Sequence, residues 1–318
     1  MKVALVYDDV SSRPNATADD LSILQSLDAV DDAICALGYT PLWIPVSPRV
    51  DGWIELLTHA SIDVVFNLCE GVGGDSANEV RVAGMIELLG LPMTGCTAET
   101  LGLARRKDRV NAILRDAGVP VPDWACVNVD RRKLYWDKFP AIVKPAAEDA
   151  SIGITQQSVA RNRRELAKAI DAAEGFNQVL VQRFIEGREF NVGIVGNVLL
   201  PINEIDFTDM PADAWAMLSY AAKWDVGSAE DLGSQPMCPA EITDEQRDQL
   251  YDLGLEAWRV VEGRGYGRVD FRMDAEGNFY VLEVNPNPDL GAGLKHMALA
   301  HGWEFPQLIE QIIAEAQA

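Results

Sequence analysis

Two spacings of apolar residues alternate along the chain. Residues 2–7 (KVALVY) form an apolar run read as a buried strand, and Thr17 then heads T-x-x-D, a variant of the helix capping box. Leu21, Leu24, Val30, Ile34 and Leu37 follow at near-helical spacing until Gly38. Residues 62–68 (IDVVFNL) read as a second strand, Gly71, Gly73 and Gly74 as the loop after it, and 76–89 as a helix ending at Gly90. This strand-helix-strand rhythm, to about residue 95, predicts a small open parallel sheet. A helical pattern over 97–117 stops at Gly118 and gives way to VPVPDW, an extended linker. FPAIVKPA (139–146) reads as a strand, EDASIG as a polar small-residue loop, 162–174 as a helix and QVLVQRFI (178–185) as a strand. Gly196-Asn197 between two apolar runs predicts a hairpin turn. Residues 208–238 show little periodicity and read as one long loop. A helix over 243–263 precedes strands at 266–273 and 279–285. The expectation is an α/β (α+β) protein in three parts, 1–96, 97–186 and 187–318.

The last two strands carry the most chemistry. They read GYGRVDFRMD, AEGN and FYVLEVNPN. If Met273 pairs with Tyr280 around the turn, Asp270 faces Glu283 and Arg268 faces Asn285, all on one side of the hairpin. Opposed carboxylates about 5 Å apart repel unless a cation lies between them. Magnesium suits such oxygen ligands, and Arg268 beside it would meet phosphate charge. The register alone leaves open both a metal site and an ordinary charged surface hairpin. The opposite face (Val269, Phe271, Met273; Val284, Leu282, Tyr280) demands a core, which puts the charged face over a cleft or in solvent.

Charge then narrows the classes. With 49 acidic and 27 basic residues the formal charge is −22, so nucleic acid and anionic lipid are repelled. An anionic ligand must be held by locally placed lysines, arginines and amides. Five dispersed cysteines without a C-x-x-C pair suggest reduced thiols and no structural zinc. No apolar run has membrane-spanning length and the N-terminus does not fit a signal peptide, so a cytoplasmic enzyme is expected. The G-x-G-G at Gly71–Gly74 lacks dinucleotide-binding spacing and reads as a cleft loop. His59, His296 and His301 accompany no nucleophile motif.

Four segments resemble the ATP-grasp superfamily, and within it the D-alanine:D-alanine ligases, from about residue 60 to the C-terminus. RRKDRVNAILRDAGVPVPDW resembles the family's D-K-x-x-x-K…G-x-P-x-P, with Lys107 at the phosphate-contacting lysine. In FPAIVKPAAEDASIGI, Lys144 matches the lysine of the α- and β-phosphates, and Ser151 the serine of the loop that closes over them. In VLVQRFIEGREFNVGIV, Gln182 stands at the adenine-side glutamate, Arg183 and Ile185 at the backbone meeting the adenine edge, and Glu189 at the ribose acceptor. In the hairpin, Asp270, Glu283 and Asn285 match magnesium ligands, and Arg268 the arginine on the transferring phosphoryl group. YAAKW resembles Y-E-A-K-Y and puts Lys223 near the γ-phosphate. The resemblance implies an ATP-grasp fold, a leading α/β domain followed by two lobes that clasp ATP, with magnesium (or manganese). It implies amide formation from a carboxylate and an amine through an acyl-phosphate. Small amino acids or peptides are the expected substrates, and a homodimer is one expectation for assembly.

Four departures fall mostly in the amino-acid half. YDDVSSRPNATADD replaces the family's N-terminal glycine-rich segment with its ammonium-binding glutamate. Gln182 replaces a glutamate, and Trp224 replaces a tyrosine. NPNPDLGAG replaces N-x-S-P-G-M, with Asp289 at the glycine and Leu294 about where a carboxylate-binding serine falls. Asp289 near a carboxylate pocket would favour an ammonium or hydroxyl, so D-alanine is expected to serve poorly. The rivals are a ligase for another amino acid or small peptide, a phosphotransferase, and a non-catalytic nucleotide-binding module.

Overall fold

The computed structural model describes residues 1–10, 13, 16–129 and 134–318. Of the divergent N-terminal segment, Ser11, Ser12, Pro14 and Asn15 lie outside the described residues. The chain opens with β1 (Lys2–Asp8), α1 (Ala18–Ala36), β2 (Thr40–Val46), α2 (Val50–His59), β3 (Val64–Asn67) and α3 (Asn78–Leu88). β1 lies between β2 and β3 and runs parallel to both. Val3 to Val6 are fully buried on both faces, as strands of a parallel sheet covered on two sides must be. The apolar pattern did not single out β2. It carries Pro41 and Pro45, which a strand tolerates at a sheet edge, where β2 lies.

The single helix expected over 97–117 is instead two, α4 (Ala98–Ala104) and α5 (Lys107–Asp116). Arg106 leaves the helical region (φ −94°, ψ 79°), and the Lys107 amide donates to Ala146 O at 3.1 Å. The break sets Lys107 in the first turn of α5, 5% exposed.

A four-stranded antiparallel sheet follows, from β4 (Trp124–Asn128), β5 (Ala141–Pro145), β6 (Val159–Ala160), α6 (Arg163–Ala172) and β7 (Gln178–Arg183), in the order β4-β7-β5-β6. β4 occupies the stretch after the Pro-containing linker. One face of the sheet packs Val143, Val179 and Val181 into a core of its own with Leu166 and Ile170 of α6. The other face presents Ile142, Lys144 and Gln182 to a cleft.

The last part holds β8 (Arg188–Val195), β9 (Val198–Leu199), β10 (Asn203–Asp206), α7 (Tyr220–Trp224), α8 (Ala229–Leu232), β11 (Gln235–Met237), α9 (Asp244–Val260), β12 (Tyr266–Met273), β13 (Phe279–Asn285), α10 (Lys295–His301) and α11 (Phe305–Ala316). Its strands run β11-β10-β8-β12-β13, with β9 folding back on β8 through Gly196-Asn197. The long loop expected over 208–238 is a correction: it carries α7, α8 and β11. Helices this short show no periodicity in sequence, but their caps are visible, since Ser219 accepts from the Ala222 amide and Ser228 from that of Asp231.

The hairpin register is right at one end and one residue off at the other. Asp270 opposes Glu283 and Arg268 opposes Asn285, but Met273 opposes Phe279 rather than Tyr280. An irregularity between Asp270 and Phe271 absorbs the difference. The core face of β13 is therefore Phe279, Val281 and Val284, while Tyr280 and Leu282, expected there, turn the other way. Two large cores join the first and last parts of the chain. One holds the Ala4/Val6 face of β1 with α2–α5, α9 and the hairpin, and the other the Val3/Leu5 face with α1, α10 and α11.

Candidate active site

Two cavities meet where the sheets face each other. The smaller, about 100 Å³, lies between Ile142, Lys144 and Gln182 of the central sheet and Glu189, Asp270, Arg272, Leu282 and Glu283 of the last one. Arg183, Ile185, Lys107, Ser151 and Lys223 also line it. Ten of the twelve singled-out residues thus line one cavity. Arg268 and Asn285 lie at its edge, joined to it through Asp270. The larger cavity, about 890 Å³, opens at the C-terminal end of the parallel sheet, where ligands bind in open α/β folds. Its walls include Asp8, Arg13, Glu70, Glu79, Arg105 and Asn285. Glu148 and Asp149 border both cavities.

Charge is concentrated at the junction. Lys107 Nζ donates to Glu148 O (2.6 Å) and Asp149 Oδ1 (2.6 Å) and pairs with Glu283 Oε1 (2.8 Å). Burial opposes its charge, yet Asp149 and Glu283 raise its pKa above the ordinary lysine value. Asp270 accepts from Arg268 Nε (2.7 Å) and Nη2 (2.9 Å), Asn191 Nδ2 (2.7 Å) and Asn285 Nδ2 (2.8 Å). Lys144 is 7% exposed, and its ammonium takes no hydrogen bond or ion pair among the described residues. Burial pushes its pKa down to about 8, although Glu283 opposes the shift. Burial, then the charge of Arg268, also lowers Lys223. Two lysines beside a cleft, with no ion pair to either among the described residues and with burial lowering both, suit the negative charge of a phosphate.

The loop over this junction is strained and tied down. Ala150 and Ser151 adopt left-handed backbone (φ 54° and 59°), which side chains rarely take. Ser151 Oγ donates to Leu218 O at 2.9 Å, and Trp224 Nε1 to Ala150 O at 2.9 Å. The tryptophan that replaces the family's tyrosine therefore latches the loop from the segment bearing Lys223.

Magnesium can be tested against the donor set. Asp270 and Glu283 are register partners carrying hard oxygens on the cleft side, with the Asn285 amide beside them. Among the described residues no group of three or more His, Cys, Asp or Glu gathers, which leaves two carboxylates and an amide. Magnesium is usually held that way, by one or two carboxylates completed by substrate phosphates and water, so the residues fit.

Several neighbours escaped the sequence reading. Glu189 does not pair with Arg183 or Arg188. Its partner is Arg272, at 2.7 Å and 3% exposed, while Arg188 pairs with Glu204. Arg272 also donates to Gly187 O (2.9 Å) and Ala216 O (2.6 Å). Strand alternation from Arg268 and Asp270 could have found it. The apolar wall of the cleft, Leu282 and Met217, had no such signal. Asp289 is not among the residues lining the two cavities; it accepts from Ser26 Oγ (2.9 Å) and the Gly291 amide (3.0 Å), and its charge helps to raise the pKa of Arg268. Leu294 is fully buried in the second core.

Two antiparallel sheets closing on a lysine-rich cleft, with a carboxylate hairpin on one side, are the arrangement expected of an ATP-grasp ligase, and comparison with known proteins shows that class. Residues 113–314 match the family model described as D-ala D-ala ligase C-terminus. The chain is 34% identical over 266 residues to a D-alanine–D-alanine ligase of Desulfotalea psychrophila, covering 80% of this chain and 78% of that one. It is 31% identical to that of Gluconobacter oxydans over the whole of both chains. The crystal structure of the Bacillus anthracis D-alanine–D-alanine ligase complexed with ATP superposes with a TM-score of 0.78, at 21% identity, over 100% of this chain and 97% of that one. The chain belongs to the D-alanine–D-alanine ligase family.

Proposed function

We propose that the protein joins the carboxylate of one amino acid or small peptide to the amine of another, using ATP held between the central and last sheets. The observation that carries this is the gathering of Lys107, Lys144, Lys223 and Arg268 around Asp270 and Glu283, next to a second, larger cavity. A carboxylate acylates an amine only once its oxygen is phosphorylated, and phosphoryl transfer is mostly positioning and neutralisation of spread charge. Lys107 and Lys144 would hold the nucleotide's phosphates, and Glu189 a ribose hydroxyl. Lys223 and Arg268 would take the charge of the phosphoryl group in flight. The Ser151 loop, latched by Trp224, would keep water from the acyl-phosphate until the amine attacks. Asp270, Glu283 and Asn285 would hold magnesium, which when bound neutralises phosphate charge. The nucleotide cavity is smaller than the roughly 300 Å³ at which ligand pockets begin. Binding of ATP would therefore widen this cavity.

The test supplies ATP, magnesium and pooled amino acids and measures ADP together with an amide product. ADP without amide would make the protein a phosphotransferase. Glu283→Gln should cut turnover by orders of magnitude with folding intact, and near-normal turnover by a folded variant would remove Glu283 from the metal site.

A further inference from the structure

Glu79 stands on α3 at the wall of the larger cavity, which also takes in Asn285 and Asn287 at the end of the β12–β13 hairpin. Its Oε1 accepts from Asn287 Nδ2 at 3.0 Å, and Asn287 Oδ1 in turn accepts from the Tyr266 hydroxyl at 2.9 Å. A fixed amide two residues beyond Asn285 thus holds the carboxyl in place. Its Oε2 meets no donor among the described residues and is not sealed from solvent, so it opens onto the cavity that the residue lines. Other carboxylates on that wall have partners: Asp8 pairs with Arg13, Glu148 accepts from Ser76 Oγ, and Asp149 pairs with Lys107. Arg105 and Asp149, on the same wall, act on Glu79 with opposite signs, and burial raises its titratable neighbours Cys69, Cys96 and Tyr266.

We propose that Glu79 is the base that takes a proton from the attacking amine. This rests on the ligase reading above and deepens its second half. The amine arrives as an ammonium, which donates a hydrogen bond to Oε2. That N–H bond breaks towards Oε2, and the freed lone pair forms the bond to the acyl carbon. Collapse of the tetrahedral intermediate breaks the carbon–oxygen bond to phosphate, which leaves with the nitrogen's second surplus proton. Burial pushes the pKa of Glu79 up to about 8, so it exchanges a proton with an amine more readily than an ordinary carboxylate does. Its anchor on Asn287 keeps the acceptor on the hairpin side of the cavity, towards the acyl-phosphate.

The test gives the full chain ATP, magnesium and the pooled amino acids, with and without hydroxylamine. Hydroxylamine is uncharged at neutral pH, needs no base, and traps an acyl-phosphate as a hydroxamate. Glu79→Gln keeps an acceptor for Asn287 and removes the group that takes the proton. It should lose amide formation by about 100-fold or more, while hydroxamate formation stays within about threefold of the wild type. The hydroxamate also reports that the variant is folded and still makes the acyl-phosphate. Amide formation by the variant within about threefold of the wild type overturns the proposal. An equal loss of both products also overturns it, and gives Glu79 a structural part instead. Neither product from the wild type overturns the ligase reading and this proposal together.

Discussion

Glu79 is a carboxylic acid with almost no water around it, 8% exposed on α3 at the wall of the larger cavity. Burial raises its pKa to about 8, against the 3.0 Å hydrogen bond from Asn287 Nδ2 that favours the charged form. The folded state therefore holds a proton that the unfolded chain has released above about pH 4.5. Its contribution to stability is fully present below that pH and is lost as the pH rises towards 8. Glu79→Gln removes the titration, so it should gain on the wild type by up to about 4 kcal/mol between pH 5 and 8. Thermal unfolding of both proteins at the two pH values measures the difference, in which the other titrating groups cancel. A constant difference would mean that Glu79 is charged and hydrated when folded. Residues of this kind are hard to read in sequence, because a glutamate in a helix looks solvated until the fold buries it. Lys144 was legible for the opposite reason, since a lysine inside the apolar run AIVKPA has to answer to something. Arg272 was half legible: strand alternation puts it on the face of Arg268 and Asp270, but its partner Glu189 comes from another strand.

Elements with long-range periodicity came through, and those whose cause is local or tertiary did not. The β12–β13 hairpin was readable because apolar and charged residues alternate. Its irregularity was not, because one extra residue leaves the pattern almost unchanged while swapping Leu282 and Tyr280 for Val281 and Phe279 on the core face. The site register survived because the irregularity lies on the turn side of Asp270. The segment from 208 to 238 failed differently. Its order comes from the loop over the cleft: the Tyr220 amide donates to Ile154 O at 2.9 Å, Ser151 Oγ to Leu218 O, and Trp224 Nε1 to Ala150 O. The two segments should therefore loosen together. Trp224→Phe keeps an aromatic ring and deletes one hydrogen bond, a loss of about 1 kcal/mol. Without nucleotide, amide exchange over 150–154 and 220–224 should then speed up by roughly fivefold, and an ATP analogue plus substrate should slow it in both proteins. Exchange that rises in only one segment, or in neither, would separate the loop from the lysine-bearing helix.

At the scale of the molecule, packing ties the first and last parts of the chain into two shared cores and leaves the central sheet with its own. Leu101, Val110 and Leu114 of α4 and α5 lie in the first shared core, so Lys107 stands on the larger body and Lys144 on the central sheet. The smaller cavity, proposed above for ATP, is lined by both lysines, and the 890 Å³ cavity is set mainly into the larger body. That volume lies in the upper part of the 300–1,000 Å³ typical of ligand pockets. Two alanines, among the smallest amino acids, would leave much of it to water, and a substrate held loosely forfeits the rate that orientation provides. The Asp289 carboxylate is engaged by Ser26 and the Gly291 amide, and its charge also acts on Arg268. Leu294, sealed in the second core, offers no hydroxyl to a substrate carboxylate. The cavity instead lines up Asp8, Glu70 and Glu79 with Arg13 and Arg105, polar groups of both signs. We therefore expect D-alanine alone to be turned over slowly, and a larger amino acid or a dipeptide as second substrate to raise kcat/KM by at least about tenfold. ADP release with D-alanine alone, then with a graded series of partners, measures this. If D-alanine alone reaches about 10⁴ M⁻¹s⁻¹, within the ordinary enzyme range, and no larger partner exceeds it, the cavity closes to alanine size on binding and its open volume says nothing about specificity.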